Sequence, residues 1–211
     1  MNIPLTSVFI LLAAYFCGSI PFGLLLGKLF GAKDVRKTGS GNIGATNVAR
    51  GAGLSAGILT LLLDASKGAI PVWLARHYFP EQAAFQILAG LGALAGHCFP
   101  AWLKFRGGKG VATAAGAFLV LCPPAAVGAL LIFVLVVGFW RYVSLASISA
   151  AAAMPLLVYF LWAPHFAPPI SVTAGSLAAA LLIIYKHDAN MQRLVEGTEP
   201  KFSLGKEKDA E

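Results

Sequence analysis

Long apolar runs alternate with short polar loops along the chain, and the runs predict helices that cross a membrane. Seven runs can be traced, most of them near the ~20 residues that a helix needs to span a bilayer, with the fourth too short for a full span. They are Leu5 to Gly27, Leu54 to Ala75, Ala84 to Leu103, Val111 to about Pro123, Ala125 to Trp140, Ser144 to Leu161 and Ile170 to Tyr185. The pattern predicts an all-α integral membrane protein, a compact bundle of about seven transmembrane helices.

One pair of charged residues interrupts the second run. Asp64 and Lys67 are three positions apart, so they share one face of a helix. Charges facing lipid are costly, and ionisable residues within spans almost always face the bundle interior. We therefore expect this pair to point into the bundle.

The lysines and arginines lie almost entirely in alternate loops. With seven spans, fourteen of the 16 fall on one side of the membrane, whereas six spans would scatter them. Loops rich in Lys and Arg face the cytoplasm, which predicts an N-terminus outside and a C-terminus in the cytoplasm. The fourteen are Lys28, Lys33, Arg36, Lys37, Arg50, Lys104, Arg106, Lys109, Arg141, Lys186, Arg193, Lys201, Lys206 and Lys208.

Composition agrees with a membrane class. Apolar residues make up 58% of the chain and charged residues 12%, against about 25% charged in soluble domains. The net charge of +7 resides in loops, so it indicates membrane orientation or an anionic substrate, and no nucleic acid is expected. Cys17, Cys98 and Cys122 lack metal-ligand spacing, so no metal site is expected. Residues 1–211 are predicted to form one domain, with a short, disordered polar tail at 200–211.

The first polar motif, SGNIGATNVAR, lies between the first two runs. Its glycines let backbone N–H groups approach an anion, its Ser, Asn and Thr side chains add donors, and its arginine adds a bidentate cation. An ordinary loop of Gly, Ser and Asn is the alternative interpretation. The candidate residues are Ser40, Gly41, Asn42, Gly44, Thr46, Asn47 and Arg50.

The second motif, GHCFPAWLKFRGGKG, contains a glycine cluster that enters the fourth run. The sequence Gly107-Gly108-Lys109-Gly110 is typical of phosphate sites in which a glycine loop leads into a helix N-terminus, although it does not fit the Walker A pattern. The alternative is that Lys104, Arg106 and Lys109 only set the topology. His97 is more often a structural hydrogen bonder than a base at such a position.

Two further motifs are weak when each is taken alone. RYVSLAS places Ser144 at a predicted helix end, where anchoring and packing are the simpler roles. In YKHDANMQRLVEGTE, His187, Asn190 and Arg193 share one face of a helix that would continue the last span, unless this is a solvated basic tail. All four motifs fall on the predicted cytoplasmic side, which indicates a membrane-embedded site for a phosphate-bearing ligand.

The motifs GSIPFG, GSGNIGATNVAR, LLDASKGAIPV, GHCFPAWLKFRGGKGVAT, RYVSLASI and IIYKHDANMQRLVEGTE, in this order, resemble the bacterial acyl-phosphate:glycerol-3-phosphate acyltransferase family. The resemblance spans nearly the whole chain. It implies a seven-helix enzyme of the bacterial inner membrane with a cytoplasmic active site. It also implies acyl transfer from acyl phosphate to the 1-hydroxyl of glycerol 3-phosphate, giving lysophosphatidic acid and phosphate.

The resemblance also implies functional residues. Those expected to be catalytic are Ser40, Arg50, Lys109, Ser144, His187 and Asn190. Those expected to bind substrate or phosphate are Gly41, Asn42, Gly44, Thr46, Asn47, Lys67, His97, Lys104, Gly107, Gly108, Gly110 and Arg193. Arg106 and Asp188 depart from the commonest family pattern. The partners expected are acyl phosphate, glycerol 3-phosphate and membrane lipid, with no cofactor and no obligate protein partner.

An activated acyl phosphate favours a mechanism without an acyl-enzyme. A phosphate oxygen would take the proton of the attacking hydroxyl, so Cys98 should be dispensable. Two other classes remain open: a transporter for phosphate or an organophosphate, which the pair of Asp64 and Lys67 would suit, and a structural bundle that binds anionic lipid. The crowding of the motifs on one face argues against a transporter, whose site would lie near the midplane.

Overall fold

The computed structural model describes residues 5–32, 34–162 and 168–202, and over these residues the fold is entirely helical. Lys33 and most of the predicted 200–211 tail, including Lys206 and Lys208, lie outside the described residues. The all-α prediction is confirmed. The helices are α1 (Leu5–Gly18), α2 (Phe22–Leu29), α3 (Ala45–Ala52), α4 (Leu54–Tyr78), α5 (Ala83–Cys98), α6 (Val111–Leu121), α7 (Pro123–Trp140), α8 (Val143–Leu161), α9 (Ile170–Tyr185) and α10 (Asp188–Val195), with 3₁₀ turns at Val35–Lys37 and Ala101–Leu103.

The described helices support a multi-pass membrane protein. Five segments are long and apolar enough to cross a bilayer, and α9 with α10 forms a sixth that is bent by 56°. The short fourth run is helix α6, whose 11 residues extend only about 16 Å, against about 30 Å of hydrocarbon. Large side chains such as Leu135, Phe139 and Ile170 are exposed on the outside of the bundle, as lipid-facing residues are. A count of seven crossings stays a prediction.

The first run, predicted from Leu5 to Gly27, is one candidate span at Leu5–Leu29, but it consists of two helices. Helix α1 ends at Gly18 and α2 begins at Phe22, because Pro21 has no N–H to continue the helix. The backbone carbonyls at the break are bound instead by side chains from elsewhere. Trp102 Nε1 donates to Ser19 O at 2.8 Å, and Lys67 Nζ donates to Ile20 O at 2.8 Å.

The last run ends at Tyr185 as predicted, but the polar stretch after it forms a separate helix, α10, and does not continue α9 as the sequence analysis expected. The Nδ1 atom of His187 binds Ile183 O at 2.7 Å, the carbonyl that the backbone N–H of residue 187 would take in a continuing helix. That N–H binds Ile184 O instead, which tightens the turn. The chain then bends by 56° into α10, so the predicted shared face of His187, Asn190 and Arg193 is replaced by a turn and a separate short helix.

Helices α4 and α6 pack closely through small residues. A Cβ on Gly68 would overlap the backbone of Thr113, and a Cβ on Gly116 would overlap that of Ala65. Asp64 lies on α4 and pairs with Lys67 at 2.8 Å between Oδ1 and Nζ, with at most 3% of either side chain exposed. The prediction that this pair points into the bundle is confirmed.

Candidate active site

A cavity of about 700 Å³ opens where α3, α6 and α8 begin and where α7 and α9 end. One end of the cavity is polar and is built from all four motifs that the sequence singled out. The other end is apolar and extends between α6, α7, α8 and α9. Such a cavity fits a ligand with an anionic head and a hydrocarbon tail.

Two helix N-termini meet at the polar end. Helix α3 begins after Gly44 and helix α6 after Gly110, whose φ of 82° is readily adopted by glycine. The first residues of both helices line the cavity: Gly44, Ala45 and Thr46 from α3, and Gly110, Val111 and Ala112 from α6. Each N-terminus offers unpaired N–H groups and a partial positive charge, so the site favours anions. The sequence indicated the α6 terminus, and the structure adds that of α3.

The amide of Asn47 holds the first motif in shape. Its Nδ2 donates to Val35 O at 2.7 Å and to Asn42 O at 2.8 Å, while its Oδ1 accepts from Ser40 N at 2.9 Å. Both amide hydrogens are therefore used within the loop, and Asn47 supports the loop more than it can bind a ligand. Ser40 and Arg50, at the two ends of the motif, both line the cavity.

Lys109 is the cation of the glycine cluster, and it reaches the polar end of the cavity. Its Nζ donates to Oδ1 of Asn190, which leaves further N–H groups for an anion. Burial lowers the pKa of Lys109 to about 8, with added repulsion from Arg193 and Lys186 and partial compensation by Glu199. A bound phosphate would favour the charged form of this lysine.

Glu199 orients the residues around Lys109, and the sequence analysis did not select it. Its Oε1 accepts from Asn190 Nδ2 at 2.6 Å, and its Oε2 accepts from Arg193 Nε at 2.8 Å. This fixes the amide of Asn190 so that its oxygen faces Lys109. The sequence feature that could have indicated this role is Gly197, two residues earlier, because a glycine readily allows the chain to turn back. In the structure its φ is 73°, and the chain turns back onto α10.

His187 and Ser144 present polar atoms to the same cavity. Nδ1 of His187 lies 2.7 Å from a carbonyl, which can only accept, so Nδ1 carries the hydrogen and the neutral ring keeps its lone pair on Nε2. The Oγ of Ser144 is buried beside the carboxylate of Glu199 and has no well-formed hydrogen bond within the described residues. A buried hydroxyl of this kind fits contact with a ligand.

The cavity brings together all six residues expected to be catalytic, as well as Asn42, Gly44, Thr46, Asn47, His97 and Gly110. It also includes Asp64, to which the sequence assigned only a pairing role. The remaining expected binding residues do not line it: Gly41, Lys67, Lys104, Gly107, Gly108 and Arg193. Some of these residues lie next to ones that do line the cavity: Gly107 and Gly108 directly precede Lys109, and Arg193 is linked to Asn190 through Glu199. Direct binding by these residues stays a prediction.

Comparisons with known proteins agree on one enzyme class. A family model described as glycerol-3-phosphate acyltransferase matches residues 8–197. Two relatives named glycerol-3-phosphate acyltransferase come from Syntrophotalea carbinolica and Trichlorobacter lovleyi. The first is 50% identical, covering 94% of this chain and 99% of the relative, and the second is 53% identical, covering 92% and 97%.

Two solved structures are similar over most of the chain. Both are of PlsY (YgiH), described as an integral membrane glycerol 3-phosphate acyltransferase, and each match covers 94% of this chain and 96% of the other. The glycerol 3-phosphate form has a TM-score of 0.87 at 38% identity. The lysophosphatidic acid form has a TM-score of 0.85 at 37% identity.

Proposed function

This chain belongs to the glycerol-3-phosphate acyltransferase family and transfers an acyl group to glycerol 3-phosphate to give lysophosphatidic acid, and we propose that its acyl donor is an acyl phosphate. The acyl group would go to the 1-hydroxyl, with release of inorganic phosphate. The observation that carries the donor proposal is the single cavity with two anion-favouring helix N-termini at one end and an apolar arm at the other. The comparisons favour this class over the transporter alternative.

Two phosphates must be held together if both substrates carry one. The polar end offers two cationic groups as well as two helix N-termini: Lys109 lies beside the start of α6, and Arg50, from the last turn of α3, lines the same cavity. This duplication supports a donor that carries its own phosphate next to that of glycerol 3-phosphate. Ser40, Ser144 and Asn190 would supply further hydrogen bonds, and Nε2 of His187 would orient the attacking hydroxyl.

The proposed transfer is direct. The hydroxyl oxygen attacks the carbonyl carbon, the bond from that carbon to the phosphate oxygen breaks, and the phosphate takes the proton as it leaves. The site then contributes position and charge stabilisation more than a strong base. Cys98 is buried and does not line the cavity, which supports transfer without an acyl-enzyme.

The proposed location is the bacterial cytoplasmic membrane, with the polar end of the cavity facing the cytoplasm and the whole chain forming one domain. The cationic loops that carry the four motifs support this orientation. A cysteine introduced at the exposed Lys37 should react with an impermeant maleimide in inside-out vesicles and not in right-side-out vesicles. The reverse labelling pattern would contradict the orientation.

The donor proposal is tested with purified protein, glycerol 3-phosphate and either palmitoyl phosphate or palmitoyl-coenzyme A. We expect lysophosphatidic acid and inorganic phosphate in equal amounts from palmitoyl phosphate, and no product from the coenzyme A ester. Product from the coenzyme A ester alone would overturn the donor while leaving the acyltransferase class intact. Phosphate release without lysophosphatidic acid would indicate hydrolysis instead of transfer.

The acyl chain is proposed to lie in the apolar arm, which gives a prediction about chain length. Ala151 lines this arm, about 10 Å along α8 from Ser144. Ala151→Leu should lower the ratio of kcat/KM for palmitoyl phosphate to that for octanoyl phosphate by about tenfold or more, because a long chain must pass this point and a misfit of one methylene in an apolar pocket costs about 1–3 kcal/mol.

The neighbouring Ala152 provides a matched control for the chain-length prediction. Ala152→Leu places the same new side chain on the same helix, but position 152 is exposed on the outside of the bundle. Ala152→Leu should therefore leave the ratio unchanged. Equal losses for octanoyl and palmitoyl phosphate in Ala151→Leu would contradict the placement of the chain.

A further inference from the structure

A buried polar cluster lies beneath the loop that carries Lys109. It consists of Asp64 and Lys67 from α4 and His97 from α5, each with no more than 4% of its side chain exposed. Asp64 Oδ1 lies 2.8 Å from Lys67 Nζ and 3.8 Å from His97 Nδ1, so the first contact is an ion pair and the second is too long for a hydrogen bond. Buried ion pairs are often no more stabilising than apolar residues of similar volume, so packing alone does not explain this cluster.

The cluster supports the backbone next to Lys109. Gly108 N donates to His97 O at 3.0 Å, and Gly107 N donates to Cys98 O at 3.2 Å. A Cβ on Gly108 would overlap Nε2 of His97, so the imidazole packs directly against the loop. The position of this ring therefore limits where the loop can lie, and the loop in turn places Lys109.

The cluster is also bound to the break between α1 and α2, on the side away from the glycine loop. Besides pairing with Asp64, Lys67 Nζ donates to Ile20 O at 2.8 Å, in the break between α1 and α2. The pair of Asp64 and Lys67 carries no net charge, so it does not compete with Lys109 for an anion. Lys67 does not line the cavity, and its ammonium is held by the carboxylate and the carbonyl.

We propose that Asp64, Lys67 and His97 are positioning residues, which hold the glycine loop at residues 107–110 and thereby set where Lys109 meets the phosphate. The proposal rests on the proposed function for the identity of the ligand. It assigns Lys67 and His97, expected from the sequence to bind phosphate, an action through the loop. The cluster ties the break in the first span, α4, α5 and the loop into one support.

A double-mutant cycle between Gly108 and His97 tests the proposal. Gly108→Ala should lower kcat/KM by about tenfold or more, because the new methyl group meets the ring and the loop must shift. His97→Ala alone should also lower kcat/KM, since it removes the support. In the His97→Ala background, Gly108→Ala should cost less than about twofold, because the space beside the loop is then free.

Two readouts separate this proposal from the function on which it rests. Turnover to lysophosphatidic acid gives the coupling energy, and the rise in the thermal midpoint with added glycerol 3-phosphate reports binding without turnover. Absence of turnover in the parent protein would count against the proposed function. The same double-mutant cycle, measured by glycerol 3-phosphate binding, would still test whether the cluster positions the loop. Equal costs of Gly108→Ala with and without His97, in both readouts, would overturn the proposal.

Controls keep the test independent of general damage. Gly92→Ala, on α5, adds a methyl group that meets only ordinary contacts, with the nearest side-chain atom at 3.4 Å, and it should leave turnover unchanged. His97→Gln provides the cycle if His97→Ala does not fold, because the flexible end of glutamine can give way to the methyl group. Additivity of Gly108→Ala with His97→Gln would equally overturn the proposal.

Discussion

Lys109→Ala is expected to lower kcat/KM for acyl transfer by about 10²–10³-fold, which is the cost of removing one preorganised group that stabilises charge in a transition state. Lys109 is half-buried beside the N-terminus of α6, and its ammonium faces the cavity together with Asn190. Charge on the departing phosphate is stabilised more strongly at such a site than in water. Initial rates of lysophosphatidic acid formation at varied substrate concentrations measure the effect.

Arg106 provides the control for the loss of a cation. It lies three residues earlier, is exposed and does not line the cavity. Arg106→Ala should keep kcat/KM within about twofold, since exposed surface substitutions have small effects. Near-normal turnover in a folded Lys109→Ala protein would remove this lysine from the mechanism.

The lowered pKa of Lys109 makes the same residue visible in a pH profile. Because burial lowers this pKa to about 8, the charged form dominates below that pH and is lost above it. We expect kcat/KM, which reports the free enzyme, to fall by about tenfold per pH unit above pH 8. Lys109→Arg should remove this alkaline fall, since arginine stays protonated, although its different geometry should lower the rate at every pH. An unchanged alkaline fall in Lys109→Arg would assign it to another group.

Glu199→Gln is expected to lower kcat/KM by about ten- to a hundredfold with little change in side-chain volume. Both carboxylate oxygens accept hydrogen bonds, from Asn190 Nδ2 and from Arg193 Nε. The side-chain amide of glutamine has only one oxygen, so its NH2 group must face either Asn190 Nδ2 or Arg193 Nε, which are both donors. If the Asn190 amide flips to relieve the clash, its nitrogen then faces the ammonium of Lys109. Each hydrogen bond to a charged group contributes about 1.5–3 kcal/mol, and 1.4 kcal/mol corresponds to a factor of ten.

Glu196 gives a matched control for the change in charge. It lies on the same short segment, is exposed, and makes no side-chain hydrogen bond among the described residues. Glu196→Gln should leave kcat/KM and the thermal midpoint within error, whereas Glu199→Gln should lower both. Full activity in Glu199→Gln would show that Asn190 does not need this orientation.

The sequence by itself determined the class of fold and most of the polar residues around the cavity. Apolar runs separated by polar loops depend only on local composition, and the last run coincides with helix α9 from Ile170 to Tyr185. The pairing of Asp64 with Lys67 followed from the 3.6-residue period of a helix and the cost of charge in lipid. The position of Gly110 before α6 followed from local chain geometry in the same way.

Only the tertiary structure decided the contacts between segments that are distant in the chain. Whether the first run breaks depends on Pro21, but the break is stabilised by Lys67 and Trp102 from other segments. The role of Glu199 depends on a return of the chain onto α10, and that of His97 on a glycine loop packed against its ring. Periodicity and motif spacing report which face a residue occupies within its own helix. They carry no information about which neighbour that face meets, because this is set by the packing of the whole bundle.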